Sequence, residues 1–235
     1  MRYLGRVLRW VLLGALACVL ASAGIVLALR WIDPPTSAFM IAARIHSWTD
    51  DDPQPYRLQH SWRDLAAISP QAAIAVVASE DQQFPMHRGF DVAQIRKAMT
   101  EAERGRRARG ASTISQQTAK NLFLWSGHSY LRKGLEAWLT VLMEAFLPKR
   151  RILEIYLNLI ELGRGIYGVQ AASRAYFGHD AKSLNASEAA LLAAVLPSPV
   201  RLRADRPSRY VQGRREEILA QMRGLGGPAY LRGIL

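Results

Sequence analysis

The chain has 235 residues, half of them hydrophobic, which suffices for one sizeable domain together with a membrane anchor. Its formal net charge of +12 favours anionic partners such as nucleic acid, lipid headgroups or phosphorylated substrates. The only cysteine, Cys18, lies in an apolar segment, which excludes a disulfide framework and a cysteine-based metal site.

The first thirty residues predict a helix that spans a membrane. About 20 residues from Trp10 to Leu29 are uncharged and mostly apolar, enough to cross the hydrocarbon core. Three arginines precede this run, and Trp10 and Trp31 flank it, so the positive-inside bias places the N-terminus in the cytoplasm. A cleaved signal peptide is the alternative, with a small-residue site at 21–23. An uncleaved anchor is favoured because the apolar run continues past that site.

The sequence predicts three parts: an anchor at 1–32, a juxtamembrane segment at 33–55 and one domain at 56–235. Residues 50–55 form a polar, proline-rich break. Before it, an amphipathic segment from Ser37 to Trp48 is expected to rest on the membrane surface. Four of its apolar residues are expected to have no partner in the domain core: Met40, Ile41, Ile45 and Trp48.

The domain itself is predicted to be mainly α. Ser69 and Pro70 are typical of an N-cap and a first helical position, and the apolar run that they begin ends at Ser79. A later helix is expected to open with a cap at Ser187. Alternating strand patterns are scarce, and the best candidate is a short hairpin near 56–62. Further helices are predicted at 91–104, 112–124, 131–147, 149–162, 166–177, 187–196 and 208–223.

The most informative stretch reads S-E-D-Q-Q-F-P-M-H-R-G-F-D, from Ser79 to Asp91. Its adjacent carboxylates, Glu80 and Asp81, follow an apolar run and precede a turn. This arrangement can hold a carboxylate in a partly desolvated cleft, where a raised pKa suits it to act as a base. The alternative is a helix end whose acids face solvent.

A second stretch, Gly110 to Asn121, reads G-A-S-T-I-S-Q-Q-T-A-K-N. Hydroxyl groups at a helix N-terminus with free backbone N–H groups favour anionic oxygens. Lys120 follows Gln117 by three residues and is therefore predicted to project from the same helix face. A capped helix with a solvated polar face is the alternative.

A third stretch, R-K-G-L-E, places Arg132 four residues before Glu136. From the residues alone, a surface ion pair of about 0.3–0.5 kcal/mol is favoured. The functional alternative is a carboxylate held between cations in a cleft. Farther on, Glu154, Tyr156 and Asn158 interrupt an apolar helix that is interpreted as mainly structural, so they need partners.

These three stretches resemble, in order and spacing, the motifs of the peptidoglycan glycosyltransferases, which polymerise lipid II. A fourth motif, R-I-L-E-I-Y-L-N-L-I-E-L-G-R-G-I-Y-G-V-Q-A-A-S-R-A-Y-F-G, extends the resemblance over about residues 66 to 200. With one anchor and no room for a transpeptidase domain, the chain is similar to the monofunctional biosynthetic branch. The resemblance implies a lysozyme-like helical domain with a small membrane-proximal jaw.

The resemblance also assigns site residues. Glu80 matches the catalytic base of the family, and Glu136 matches its second essential glutamate. Arg132 and Lys133 match a cationic pair near the pyrophosphate. Within the substrate site, the supporting residues of the first motif are matched by Asp81, Phe84 and His87. The donor-site motif is matched by Ser112, Thr113, Gln117, Lys120 and Asn121.

The implied reaction transfers the growing undecaprenyl-pyrophosphoryl glycan to the 4-hydroxyl of lipid II with inversion, forming a β-1,4 link. No covalent cofactor is expected, although a divalent cation, Mg²⁺ or Mn²⁺, is an expectation near Glu136. The expected partners are lipid II, nascent glycan chains, the bilayer and proteins of cell-wall synthesis or division, but not nucleic acid. The expected location is the bacterial inner membrane, with the catalytic domain in the periplasm.

Two other functions fit parts of the sequence. A membrane-anchored, lysozyme-like glycan hydrolase would also use two carboxylates, but it needs an acid to protonate a sugar leaving group. The basic residues around Glu136 argue against such an acid there. A membrane-tethered binder of anionic polymer rests only on the net charge of +12.

Overall fold

The computed structural model describes residues 2–49, 56–104, 112–127 and 129–235. The predicted proline-rich break at 50–55 and residues 105–111, which include the first two residues of the second motif, lie outside these residues. Within them the chain is mainly α, as predicted. The helices are α1 (Arg2–Ala28), α2 (Ala38–His46), α3 (Pro70–Glu80), α4 (Val92–Glu103), α5 (Ile114–Phe123), α6 (Tyr130–Phe146), α7 (Lys149–Leu159), α8 (Val169–Phe177), α9 (Ala186–Val195) and α10 (Arg209–Gly224).

The domain core surrounds α3. Residues 72–78 of this helix are all buried, because small and branched apolar side chains cover every face of it. Helices α9 and α10 pack on α3, while α5 packs between α6 and α7. The core therefore fixes the C-terminal end of α3, where the two adjacent carboxylates emerge.

Local capping signals place most helix starts where the sequence predicts them. The hydroxyl of Ser69 accepts a hydrogen bond from Gln71 N, and Pro70 is the first residue of α3. The predicted cap at Ser187 is wrong. Asn185 caps α9 instead and forms a capping box with Glu188, so Ser187 lies inside the first turn.

Three short strands form a small sheet in the order β1-β3-β2: β1 (Gln59–His60), β2 (Glu161–Gly163) and β3 (Ile166–Tyr167). The predicted hairpin near 56–62 is therefore wrong, because β1 pairs in parallel with β3, about a hundred residues later in the chain. The predicted helices at 149–162 and 166–177 also lose their adjoining ends to β2 and β3.

Glycines explain why the chain leaves the helical conformation there. Gly165 (φ +74°) lies where a Cβ would come within 2.5 Å of the Arg57 carbonyl oxygen. Gly168 (φ +81°) lies where a Cβ would come within 2.6 Å of the Asn158 carbonyl oxygen. Both positions require a left-handed backbone and close approach to a neighbouring segment, which only glycine allows without strain.

Helix α1 is long and apolar enough to cross a membrane between Gly5 and Ala28. Its C-terminal end packs against α6, where Val26 is fully buried and Trp138 Nε1 donates to Ser22 Oγ at 3.2 Å. Arg151 at the start of α7 donates to the Leu29 carbonyl oxygen at 2.7 Å. The anchor is therefore docked on the domain as well as tethered to it.

The amphipathic segment from Ser37 to Trp48 contains α2, with Ser37 as its N-cap. The expectation that Met40 has no partner in the core is wrong, because its side chain is buried where α2 packs on α5. Ile41, Ile45 and Trp48 remain exposed. Helix α2 therefore presents one face to the domain and an apolar face away from it.

Candidate active site

The site begins at the C-terminus of α3. Glu80 is the last residue of the helix, and Asp81 is its C-cap, with a non-helical backbone. Glu80 keeps some exposure, whereas Asp81 is buried. The two adjacent carboxylates therefore lie in different surroundings.

Asp81 ties the first motif to the second. Its carboxylate accepts hydrogen bonds from His87 Nε2 and from Ile114 N, both at 2.9 Å. His87 Nδ1 accepts from Gly89 N at 3.1 Å, so the ring proton lies on Nε2. Thr113 Oγ1 donates to the Gly89 carbonyl oxygen at 2.6 Å. The loop after α3 and the N-terminus of α5 are thus locked together.

Phe84 supports the loop after α3. Its side chain is fully buried under the Lys149 ammonium group, which lies 4.4 Å from the ring centroid. The side chain of Phe84 has no exposed surface, which fits the supporting role that its match to the first motif implies. Thr113 is the N-cap of α5 and forms a capping box with Gln116.

Glu80 is held by a neutral partner from α5. Gln117 Nε2 donates to Glu80 Oε2 at 2.8 Å. Burial raises the pKa of Glu80 above its usual range, and the negative charge of Asp81 acts in the same direction. The hydrogen bond from Gln117 and the charges of Arg214 and Lys120 offset only part of this effect. A carboxylate that has a raised pKa and keeps some exposure is suited to accept a proton.

Two residues near Glu80 were missed by the sequence interpretation. Arg214 of α10 brings a positive charge near Glu80, and its guanidinium donates to the Ser79 carbonyl oxygen at 3.5 Å. Tyr156 of α7 donates its hydroxyl hydrogen bond to Gln117 Oε1 at 3.2 Å. For Tyr156 the only sequence signal is a polar group in an apolar helix, and from the sequence that helix is interpreted as mainly structural. That interpretation fits Glu154 and Asn158, which bind the backbone of Leu65 and Arg63.

The second carboxylate lies on α6 between two cations. Arg132 donates to Glu136 Oε2 at 2.8 Å, and the Lys133 ammonium binds the other oxygen. Arg132 is 7% exposed and Glu136 is 2% exposed, so the favoured interpretation as a surface ion pair is wrong. The Nε atom of Arg132 is buried without a hydrogen-bond partner in the described part of the chain. A buried, unsatisfied cationic donor is costly and suits an anionic ligand.

Lys120 lies between the two glutamates. Burial lowers its pKa, as do Arg132 and Lys133, whereas the charges of Glu136 and Glu80 raise it. Its ammonium group also lies 5.4 Å from the ring centroid of Phe39 on α2. With Arg132 and Lys133 it forms a cluster of three cations around one carboxylate, which we call the cationic cluster.

Ser112 and Asn121 complete the predicted set at the two ends of α5. Both are half-buried, and neither side chain makes a hydrogen bond among the described residues. Helices α3, α5 and α6 thus bring Glu80, Gln117 and the cationic cluster into one region. The substrate contacts of all these residues stay predictions.

The surroundings of Glu136 bear on the expected divalent cation. Both carboxylate oxygens already bind cationic side chains, and a metal ion there would have to displace one of them. Among the described residues, no group of three or more His, Cys, Asp or Glu side chains could hold a metal ion. The arrangement around Glu136 therefore does not fit a resident divalent cation, and the metal requirement stays an untested expectation.

The chain matches the model of the Transglycosylase family over residues 50–223. It is 56% identical over 227 residues to a biosynthetic peptidoglycan transglycosylase of Xanthomonas campestris pv. campestris (strain B100), covering 97% of this chain and 92% of that protein. It is 50% identical over 231 residues to the protein of the same name from Pseudomonas entomophila (strain L48), covering 98% and 94%. Family, helical architecture and motif order agree, and the chain belongs to the peptidoglycan transglycosylases, glycosyltransferases with a lysozyme-like helical domain.

Proposed function

We propose that this protein polymerises peptidoglycan glycan chains from lipid II, with Glu80 as the general base. The observation that carries the proposal is one partly desolvated carboxylate, without an ion-pair partner among the described residues, beside a cluster of three cations. Family membership supports the same reaction class. In this proposal the glycan pyrophosphate is the donor and the lipid II 4-hydroxyl is the acceptor.

The reaction is a single displacement at the anomeric carbon. Glu80 takes the proton of the acceptor hydroxyl while the new oxygen–carbon bond forms and the bond to pyrophosphate breaks with inversion. The leaving group departs with the electron pair of that bond and is already anionic. It needs neighbouring positive charge rather than a strong proton donor.

The cationic cluster supplies that charge. Lys120 and Lys133 bring ammonium groups, and Arg132 brings an unsatisfied N–H that a phosphate oxygen would satisfy. Glu136 holds Arg132 and Lys133 in place through its two oxygens. The proposal routes no step through a metal ion.

A glycan hydrolase is not favoured. Beside Glu80, it would need a second carboxylate that is free to activate water or to attack the sugar as a nucleophile. Both oxygens of Glu136 accept hydrogen bonds from cations, so Glu136 is not free for either role.

The membrane placement is also part of the proposal. The anchor helix would lie in the inner membrane with the N-terminus in the cytoplasm, since arginines precede the apolar run. The domain would then act in the periplasm, where the docked outer end of α1 keeps it at the bilayer surface. Proteins of cell-wall synthesis or division are proposed partners.

Labelled lipid II provides the test. The full chain in detergent should convert it to long glycan polymer, and should not release fragments from finished glycan. Parallel reactions with a chelator and with added Mg²⁺ or Mn²⁺ measure the metal requirement. Fragment release without polymer would instead assign the hydrolase reaction.

A further inference from the structure

A chain of hydrogen bonds reaches Glu80 from the interior. The Tyr156 hydroxyl donates to Gln117 Oε1 at 3.2 Å, and Gln117 Nε2 donates to Glu80 Oε2 at 2.8 Å. The three residues come from α7, α5 and α3, so these hydrogen bonds link three helices of the domain. It ends on the carboxylate proposed to accept the proton.

Gln117, the middle residue, has an acceptor and a donor on its side-chain amide. A glutamine amide accepts at its oxygen and donates at its nitrogen, while an ionised carboxylate only accepts. Gln117 must therefore turn its NH₂ group toward Glu80, which points its oxygen toward Tyr156. The reverse orientation would place two acceptors, Gln117 Oε1 and the Glu80 carboxylate, against each other.

The surroundings of Tyr156 keep its hydroxyl a hydrogen-bond donor. Its side chain is 1% exposed, and burial holds the pKa of its phenol well above the usual range. The hydroxyl therefore stays protonated and remains a donor. Within the described residues it makes its hydrogen bond to Gln117, so the geometry gives the amide one preferred orientation.

We propose that Tyr156 is a positioning residue for the transferase reaction, which fixes the amide of Gln117 so that its NH₂ group faces Glu80. The inference rests on the proposed role of Glu80 as the base. Fixing Oε2 of Glu80 leaves its Oε1 atom, which makes no hydrogen bond among the described residues, for the acceptor hydroxyl.

Other groups act on Glu80 by charge. Asp81 is the next residue along the chain, Lys120 lies on α5 and Arg214 on α10. None of them makes a hydrogen bond to Gln117 in the described chain, so none sets the orientation of the amide. The effect of Tyr156 is therefore separable from theirs.

The first test is the pH dependence of kcat/KM for lipid II with Tyr156→Phe. Without the hydroxyl, the amide no longer has one preferred orientation, and the hydrogen bond that lowers the pKa of Glu80 is weakened. We expect the acid limb of the pH profile, where kcat/KM rises as Glu80 ionises, to move to higher pH by about half to one unit. The matched control is Tyr176→Phe, which removes a hydroxyl bonded to the Leu162 carbonyl oxygen and should leave the limb in place.

The second test does not need activity. Unfolding of the full chain in detergent is measured for the wild type, Tyr156→Phe, Glu80→Gln and the double variant. When Glu80 is present, the destabilisation by Tyr156→Phe should grow as the pH rises and Glu80 ionises in the folded state. In the Glu80→Gln background it should not depend on pH.

The proposal is overturned if Tyr156→Phe leaves the acid limb of the pH profile in place and also causes a loss of stability that does not depend on pH, with or without Glu80. Tyr156 is then a packing residue. If the wild type makes no polymer, the proposed function fails. The unfolding cycle then still decides whether Tyr156 acts on Glu80. A pH-dependent difference confined to the Glu80 background supports the positioning role.

Discussion

Glu80 and Glu136 have the same type of side chain but differ in exposure and in their hydrogen-bond partners. Glu80 ends α3, binds one neutral amide and keeps part of its surface open, and burial raises its pKa. Glu136 lies within α6, is almost fully buried and binds two cations. A carboxylate that accepts a proton must be desolvated without an ion-pair partner, whereas one that organises cations must be paired.

The largest expected effect comes from Glu80→Gln. The amide keeps the shape and the contact to Gln117 but cannot take a proton. Polymerisation of lipid II should fall by about 10²–10⁴-fold, the usual contribution of a positioned general base. Circular dichroism should show an unchanged fold, and near-normal polymer at equal protein concentration would refute the role of Glu80.

Breaking the pair at Glu136 should instead damage the fold. Glu136→Ala leaves the guanidinium of Arg132 buried without its partner, which should cost about 3–5 kcal/mol of unfolding free energy. The matched control is Lys133→Ala. It removes a half-exposed partner of the same carboxylate and should cost about 0–1 kcal/mol. Equal losses in the two variants, measured by chemical unfolding in detergent, would show that burial does not distinguish the two cations.

Lys120→Ala tests whether the region between the glutamates binds pyrophosphate. Removing one of three clustered cations should lower kcat/KM for lipid II by about ten- to a hundredfold, the cost of one or two charge-assisted hydrogen bonds. Inhibition by inorganic pyrophosphate should weaken in parallel. The control is Lys97→Ala on α4, which has no buried residue, and it should leave inhibition unchanged. Unchanged inhibition in Lys120→Ala would assign this cation to packing against Phe39.

The sequence predicted well what local rules decide. Ser69, Pro70 and Thr113 start their helices because capping depends on a few neighbouring residues. The small sheet was not predictable, since Gln59 pairs with Ile166 far along the chain and each strand has two or three residues. The residue sets of the site came from the resemblance, and their substrate roles remain predictions.

Burial and distant neighbours limited the prediction of the site. Arg132 and Glu136 are four residues apart whether they face solvent or core, so spacing alone favoured a weak surface pair. Arg214 reaches Glu80 from α10 through packing of α10 on α3, which no local pattern encodes. The same holds for Tyr156, whose partner Gln117 comes from another helix.

The raised pKa of Glu80 should make the stability of the protein depend on pH. Because the folded pKa of Glu80 lies above its usual value of 4.5, ionising it costs stability. Relative to Glu80→Gln, the wild type should lose stability as the pH rises from about 4.5 through the raised pKa. The loss should reach about 1.4 kcal/mol if the folded pKa lies one pH unit above the unfolded pKa. A difference between the two proteins that stays constant from pH 4 to pH 8 would contradict the raised pKa.

The smallest expected effect concerns the anchor, which packs on α6, the helix that carries Glu136. Residues 22–33 hold the contacts to α6 and α7, including those of Ser22 with Trp138 and of Arg151 with Leu29. Deleting 1–33 should lower the melting temperature in detergent by about 2–4 °C, corresponding to about 1 kcal/mol, because detergent covers the exposed apolar surface. Polymerisation should fall only severalfold.

The matched control is deletion of 1–21, which shortens the anchor but keeps every one of these contacts. It should melt like the full chain, because its docked segment still packs on α6. Both truncated proteins should keep the acid limb of the wild type, since Glu80 and Gln117 lie away from α1 among the described contacts. If deletion of 1–33 gives a folded protein that is inactive in every detergent, the docked end of α1 belongs to the active site. In that case the arrangement of Glu136 depends on it.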